Sequence, residues 1–303
     1  MADLLRNQPL GTGPGPTRFR SLLNAAAADR KPLVLPGCYD ALGARLIEQA
    51  GFDAVYMTGF GTAAGLLGRP DVGLLGLAEM VDNARRITAA VDVPVVADAD
   101  TGYGNPINVI RTVQQYERSG VSAIHIEDQV LPKKCGHMEN KQVVSTDEFA
   151  AKIAAAASAR QDADFTIIAR TDARAPHGLD EAMKRAHRCV EAGADVLFVE
   201  ALQGVDEIEK VAAEFAGVPL LFNWAEGGKT PPLTYAEISE LGFAMIIMPI
   251  GTMLAATRAM QAFLARLRTD GTPAAFVDEL MGFTEFTDLI GLPEITALED
   301  RFS

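Results

Sequence analysis

Four times along the chain a helical pattern stops at a glycine and an apolar run begins a few residues later: QAGFDAVYM (49–57), RSGVSAIHI (118–126), EAGADVLFV (191–199) and ELGFAMIIM (240–248). Glycine tolerates the left-handed backbone that closes a helix, and an unbroken apolar run of this length suits a strand covered on both faces. Between these copies lie KPLVLPG (31–37), VPVVADAD (93–100), DFTIIAR (164–170) and VPLLFN (218–223), which complete a series of eight strands alternating with helices. Eight parallel strands in about 250 residues predict a (β/α)8 barrel in preference to a doubly wound open sheet.

Several helix starts are marked. Asn105 can cap a helix with Pro106 at its first position, which would place Ile107, Ile110 and Val113 on one face. Ser145 followed three residues later by Glu148 has the form of a capping box. The expected organisation is a Gly/Pro-rich arm over 1–16, a barrel over 17–271 and a helical C-terminal extension over 272–303. The longest apolar stretch, FAMIIMPIGTMLAA (243–256), is interrupted by Pro249 and Gly251 and is too short to span a bilayer. Cysteines at 38, 135 and 189 form no disulfide framework, and no signal-peptide core opens the chain, so a cytoplasmic setting is expected. A net charge of −13 without a basic block argues against nucleic acid.

Barrel active sites form where strands end and βα loops begin. Here the strands run out into Tyr56 and Thr58, Asp98 and Asp100, Glu127, Arg170, Glu200 and Asn223. Charged groups crowded on a closed rim are costly unless compensated, and a cation would compensate them. Asp98 and Asp100, two apart on a strand, are expected to face the same way, with Glu127 and Asp71 of the GRPDVG loop close by. Oxygen ligands without clustered His or Cys favour a hard ion, Mg2+ with Mn2+ as the alternative.

After strand four comes LPKKCGHMENK (131–141). A solvated loop with one structural cysteine is the plain reading. The chemical reading is that Lys133, Lys134 and His137 favour the thiolate of Cys135 and make it a proton carrier, with Gly136 letting the loop fold over a ligand. EGGKT (226–230) is either an anion-binding turn or a tight turn, and GFGTAAG (59–65) lacks the glycine spacing of a dinucleotide loop. His125 can orient Glu127 or be a satisfied core histidine.

VYMTGFGTAA, DADTGYG, IEDQ, PKKCGHMENK, IIARTDA, FVEA and NWAEGGKTP, in this order over roughly residues 17 to 260, together resemble the isocitrate lyase and phosphoenolpyruvate mutase superfamily. The resemblance implies a barrel whose eighth helix is exchanged between subunits, in a homotetramer built as a dimer of dimers. It implies Mg2+ around Asp98 and Asp100 with Asp71 and Glu127 in the surrounding shell, and Tyr56, Thr58, Gly59, Phe60, Lys133 and Gly136 along a small anionic carboxylate. Arg170 would meet the substrate carboxylate, with Glu200 and Asn223 lining the pocket. Lys133 to His137 match the K-[KR]-C-G-H loop of the lyase branches, in which Cys135 would act as general acid with Lys134, His137, Arg170 and Tyr56 in the catalytic group. Chain length and Pro249 are similar to 2-methylisocitrate and 2,3-dimethylmalate lyases. Phosphonomutases, oxaloacetate hydrolases or decarboxylases, and a non-catalytic metabolite-binding barrel are the alternatives. Met138 and Glu139 stand where methylisocitrate lyases carry an arginine-containing segment, and Trp224 is bulky beside Asn223; both argue against a large tricarboxylate.

Overall fold

The computed structural model describes residues 15–136 and 138–303; most of the expected arm, residues 1–14, and His137 lie outside the described residues. Eight strands are present: β1 Leu33–Cys38, β2 Val55–Met57, β3 Val95–Asp98, β4 Ala123–Glu127, β5 Thr166–Thr171, β6 Val196–Val199, β7 Leu221–Asn223 and β8 Met245–Met248. All pairings are parallel, in the order β6-β5-β4-β3-β2-β1-β8-β7. A parallel bridge between Leu197 and Leu220, with the Leu197 amide donating to Pro219 O at 3.0 Å, brings the two ends together and nearly closes the barrel. The glycines that punctuate the sequence do what their position asks. Gly51, Gly120, Gly193 and Gly242 have φ of 87°, 88°, 99° and 88°, each turning a helix end into the next strand.

Side chains alternate along each strand, and the alternation separates two cores. Leu35, Tyr56, Val96, Ala123, Ile168, Phe198, Leu221 and Ile247 point into the barrel and pack together. Met57, Ala97, Ile124, Ile126, Ile167 and Ile246 point outward against the surrounding helices. The helix Gly15–Asp29 joins the inner core through Phe19, Leu23 and Ala26. Its polar side chains reach residues just ahead of three strands: Arg18 to Asp92 O at 3.2 Å, Thr17 to Asp164 at 2.7 Å and Arg20 to Asp195 at 3.1 Å. This helix therefore plugs the N-terminal end of the barrel, which leaves the C-terminal end as the open one.

The helix Pro106–Arg118 is capped as its sequence suggests, with Asn105 Oδ1 accepting from Ile107 N at 3.0 Å and Asn108 N at 3.2 Å. Its buried face is Val109, Thr112, Val113 and Tyr116, so of the expected stripe Val113 is buried while Ile107 is exposed. On this face the Tyr116 hydroxyl donates to Asp98 O at 2.8 Å and ties the helix to β3. Ser145 caps Thr146–Ala159, its Oγ accepting from Glu148 N at 3.2 Å. Met253–Ser303 is a compact unit of its own, made of the greater part of the helix Gly251–Asp270, a 3-10 turn at Val277–Glu279 and the helices Phe283–Leu289 and Leu292–Phe302. Within it Arg266 lies over the ring of the buried Phe276, 4.1 Å from the centroid.

A Cβ added at Gly51 meets no atom within 4 Å, so Gly51→Ala isolates the backbone cost. The variant should lose about 1–2 kcal/mol, read as a lower urea midpoint with an unchanged m value.

Candidate active site

Inward residues at the ends of β2, β3, β5, β6, β7 and β8 gather into one cavity of about 270 Å3 at the C-terminal end. The period of two decides membership: Tyr56 then Thr58, Val96 then Asp98, Ile168 then Arg170, Phe198 then Glu200, Leu221 then Asn223, Ile247 then Pro249. From the loop after β4, Lys133, Cys135, Gly136 and Met138 complete the wall, and Ala225 to Gly228 after β7 face them.

Arg170 is the fixed point. Its Nε and Nη2 donate to Asp172 at 3.0 and 3.3 Å, Nη1 faces Glu127 at 3.3 Å, Nη2 faces Glu200 at 3.4 Å, and the guanidinium lies 5.1 Å from the Phe198 ring centroid. Glu127 is its register partner across the β4–β5 ladder. Burial pushes the Glu127 carboxyl well above the usual carboxylate range, with Arg170 opposing, and neither of its oxygens has a hydrogen bond. Asn223 Nδ2 donates to Glu200 Oε2 at 3.0 Å.

Asp98 and Asp100 converge, but not by strand alternation as the sequence suggested. β3 stops at Asp98, and Asp100 has a left-handed φ of 47° at the start of a turn. The turn carries the Asp100 side chain to Lys133, whose Nζ sits 2.6 Å from Asp100 Oδ1 and 2.6 Å from Asp71 Oδ1. Burial works against the Lys133 ammonium, but Asp100, Asp98 and Asp71 override it and raise its pKa well above the usual value, so it stays charged. Asp71 also accepts from the Cys135 amide through its backbone carbonyl at 3.2 Å. Asp98 lines the cavity, its Oδ1 accepting from Asp100 N at 2.9 Å. Gly59 packs so tightly on it that a Cβ there would stand 2.4 Å from Asp98 Oδ2.

His125 is a fully buried core histidine, one of its two expected readings, and it lies between Tyr56 and Asp98 and not on Glu127. Its Nε2 is 2.8 Å from Tyr56 Oη and its Nδ1 is 3.6 Å from Asp98 Oδ1. Burial lowers its pKa to about 4, against the pull of Asp98, so the imidazole is neutral at physiological pH. Burial, with Asp98 adding to it, keeps Tyr56 a phenol.

Of the remaining expected site residues, Thr58 and Phe60 line the cavity, while Lys134 turns to its own loop, donating to Asn140 O at 3.2 Å. Trp224 does not narrow the cavity: its indole donates to Leu233 O at 2.8 Å. Glu139 pairs with Lys229 of the EGGKT turn. Two residues passed over in the sequence stand close to the site. Lys141, buried, reaches Asp172 Oδ1 at 2.6 Å and the Gly136 carbonyl. Asp172 follows Arg170 by two, the spacing read in the sequence only for Asp98 and Asp100.

The lining holds Asp71, Asp98, Glu200 and Glu226 against Lys133 and Arg170 among the described residues, an acidic excess that would repel an anionic ligand. A bound divalent cation would reverse it. Among the described residues no three acids, imidazoles or thiols converge on one point. A cation here would be held by one or two carboxylates, with water and ligand oxygens completing its shell, which is the coordination Mg2+ favours.

Reactive side chains concentrated at the C-terminal ends of eight parallel strands define a barrel enzyme. The chain belongs to the family described as phosphoenolpyruvate phosphomutase, whose profile matches residues 19–268, within the PEP mutase/isocitrate lyase superfamily. It is 46% identical over 286 residues to 2,3-dimethylmalate lyase of Eubacterium barkeri, covering 94% of this chain and 97% of that protein. With 2-methylisocitrate lyase of Aeropyrum pernix it shares 45% identity over 262 residues, covering 86% and 84%. A crystal structure of 2,3-dimethylmalate lyase superposes with a TM-score of 0.89 at 42% identity, over 95% of each chain. A phosphonopyruvate hydrolase complexed with oxalate and Mg2+ superposes with a TM-score of 0.84 at 34% identity, over 93% of this chain and 98% of that one.

The depressed His125 pKa has a sign that can be tested. Between 6.5 and about 4 the unfolded chain takes up a proton that folded His125 refuses, so its contribution is complete above 6.5 and lost as pH falls to about 4. The span corresponds to about 3 kcal/mol. Asp100, raised by burial to about 6 against Lys133, acts with the opposite sign between 3.8 and 6. Denaturant midpoints of wild type and His125→Gln, compared across pH 4–7 in chelator, isolate the His125 share: the variant should lack it.

Proposed function

We propose that the protein is a carbon–carbon lyase that cleaves a 2-hydroxy dicarboxylate with small alkyl substituents, of the 2,3-dimethylmalate type, to a 2-oxoacid such as pyruvate and a second carboxylate. The observation that carries this reading is that Cys135, Arg170 and Asp98 line one small cavity whose remaining wall includes Ile247, Pro249 and Phe198. Arg170 suits one carboxylate and a divalent cation at Asp98 would suit the second, while the apolar wall suits methyl groups in the positions where a third carboxylate would be left unpaired.

Asp98, with Asp100 behind it, would hold Mg2+, with Glu127 and Asp71 nearby. When bound, the ion supplies Lewis-acid polarisation of the substrate's hydroxyl and adjacent carboxylate. Arg170, braced by Asp172, Glu127 and Glu200, orients a carboxylate without reorganising. The alcohol proton departs to solvent as the carbon–carbon bond breaks, and Tyr56, which burial keeps a phenol and which is hydrogen-bonded to His125, steadies the substrate oxygen through its hydroxyl. Cys135 Sγ gives a proton to the carbon of the departing fragment, so one proton leaves oxygen and one arrives at carbon. Lys133 offsets the carboxylates that surround it. His137 is assigned to the same charge-offsetting group by its place in the K-K-C-G-H run, and Lys134 to the outer face of that loop.

The same reading carries a barrel over 17–271 with an extension over 272–303, a homotetramer with an exchanged helix, and a cytoplasmic enzyme. No described helix is long and apolar enough to cross a membrane.

Mg2+-dependent release of 2-oxoacid should be greatest with 2,3-dimethylmalate in a panel that includes 2-methylisocitrate, isocitrate and oxaloacetate. Phosphonate turnover, or acetate release from oxaloacetate, would move the protein to another branch. Asp98→Ala should abolish turnover with the fold retained, checked by circular dichroism, and chelation should do the same reversibly. Cys135→Ser should lose roughly 10²-fold in kcat, because serine is a far weaker acid than a thiol, while Mg2+ affinity by calorimetry is unchanged. Cys38 and Cys189 are buried thiols whose pKa values burial pushes far up, and they serve as inert controls for alkylation.

A further inference from the structure

The run 131–141 contains a third lysine that the reaction above does not use. Lys141 has a side chain only 1% exposed, and its ammonium has two acceptors: Asp172 Oδ1 at 2.6 Å and the backbone carbonyl of Gly136. A lysine is buried at this depth only when its charge is matched, and Asp172 matches it. Burial would raise the Asp172 carboxyl, but Arg170 and Lys141 together hold it well below the usual carboxylate range. One carboxylate therefore grips both Arg170 and Lys141, and Lys141 in turn grips the residue next to Cys135.

Gly136 is seated without slack. A Cβ at that position would stand 2.5 Å from Arg170 Nη2 and 2.6 Å from Glu200 Cγ, so the backbone at 136 lies directly on the guanidinium and carboxylate below it. On the upstream side the segment is tied by Cys135 N to Asp71 O at 3.2 Å and by Gln129, which bonds Lys134 N and O at 2.9 and 2.8 Å. On the downstream side there is the Glu139–Lys229 pair, in which Glu139 is 77% exposed, and there is Lys141. An exposed pair holds weakly, whereas a buried charge-assisted bond holds strongly.

We propose that Lys141 is a positioning residue for the proton donor: by bridging the Gly136 carbonyl to Asp172 it holds Cys135 at a fixed place relative to Arg170. The inference rests on the reading of Cys135 as general acid. The thiol and the guanidinium must act on one substrate in one step, and on the downstream side of Cys135 one buried ammonium ties the segment to Asp172, the carboxylate that also holds Arg170. Removing the ammonium leaves Asp172 still paired with Arg170, so the floor of the site stays intact while the segment above it loses its downstream anchor.

The test compares wild type with Lys141→Met in two measurements. Alkylation of Cys135 by iodoacetamide, followed by peptide mass spectrometry without substrate or metal, should be several-fold faster in the variant, with Cys38 and Cys189 unmodified in both. Turnover should fall roughly 10²-fold in kcat, the cost of a displaced catalytic group, with KM much less affected because Arg170 is undisturbed. A folded Lys141→Met enzyme with wild-type alkylation and wild-type kcat overturns the proposal. Should that variant not fold, Lys141→Gln decides: it keeps a polar head beside Asp172 but is one atom shorter and uncharged, so it gives up the charge-assisted bridge to Gly136 O; the same two changes are expected, and wild-type behaviour again overturns the proposal. The alkylation arm needs no reaction. Absence of 2-oxoacid release from the wild type therefore strikes only the lyase reading, and the alkylation comparison still judges Lys141.

Discussion

Charge balance inside a closed ring of strands is the constraint from which the upper half of this barrel follows. Asp98, Asp100, Glu127, Asp172 and Glu200 are all at least 96% buried, with little water to solvate them. Arg170, Lys133 and Lys141 are drawn in to meet them, and each of these cations contacts more than one acceptor. Because two of the three lie on the segment after β4, neutralising the rim also fixes that segment over the cavity. Packing and electrostatics thus specify the same loop position. The remaining acidic excess in the lining is what makes a divalent cation an electrostatic complement to the site and not an accessory to it.

Much of this was legible in the chain, for identifiable reasons. Strand number and parallel topology followed from glycine-terminated helices and apolar runs, both of them local signals. Arg170, Glu200 and Asn223 followed from their place at the ends of apolar strand runs, where a barrel gathers its site; the structure adds that each lies two residues beyond an inward-pointing core residue. Where the sequence reading failed, the cause was non-local. Asp100 meets Asp98 through a left-handed turn that no spacing rule encodes. His125 was seen as a strand residue, yet its partners come from β2 and β3. Trp224 looked like a steric plug because its neighbour Asn223 lines the cavity, and the alternation that points Asn223 inward points Trp224 away. Lys141 lay in plain view at the end of the polar run, but its role depends on Asp172, distant in sequence, and on a backbone carbonyl that carries no sequence signal at all.

The apolar portion of the cavity deserves equal weight with the charges. Ile247 and Pro249 come from β8 and its end, and Phe198 also supports Arg170 from below. One aromatic ring thus serves both halves of the recognition problem, bracing the cation that meets a carboxylate and presenting carbon surface beside it. The family in which the chain falls includes lyases, mutases and hydrolases that use one barrel.

The helix Gly15–Asp29, described above as a plug, also makes the chamber a cul-de-sac. A cleavage reaction begins with one ligand and ends with two, and both fragments must depart by the opening through which their parent came in. On the lyase reading the fragment under Cys135 lies toward that opening and the 2-oxoacid lies beneath it, against Asp98. On that reading the protonated fragment would leave first and the oxoacid would follow, so that the lower product would be the one to compete with incoming substrate for the empty enzyme.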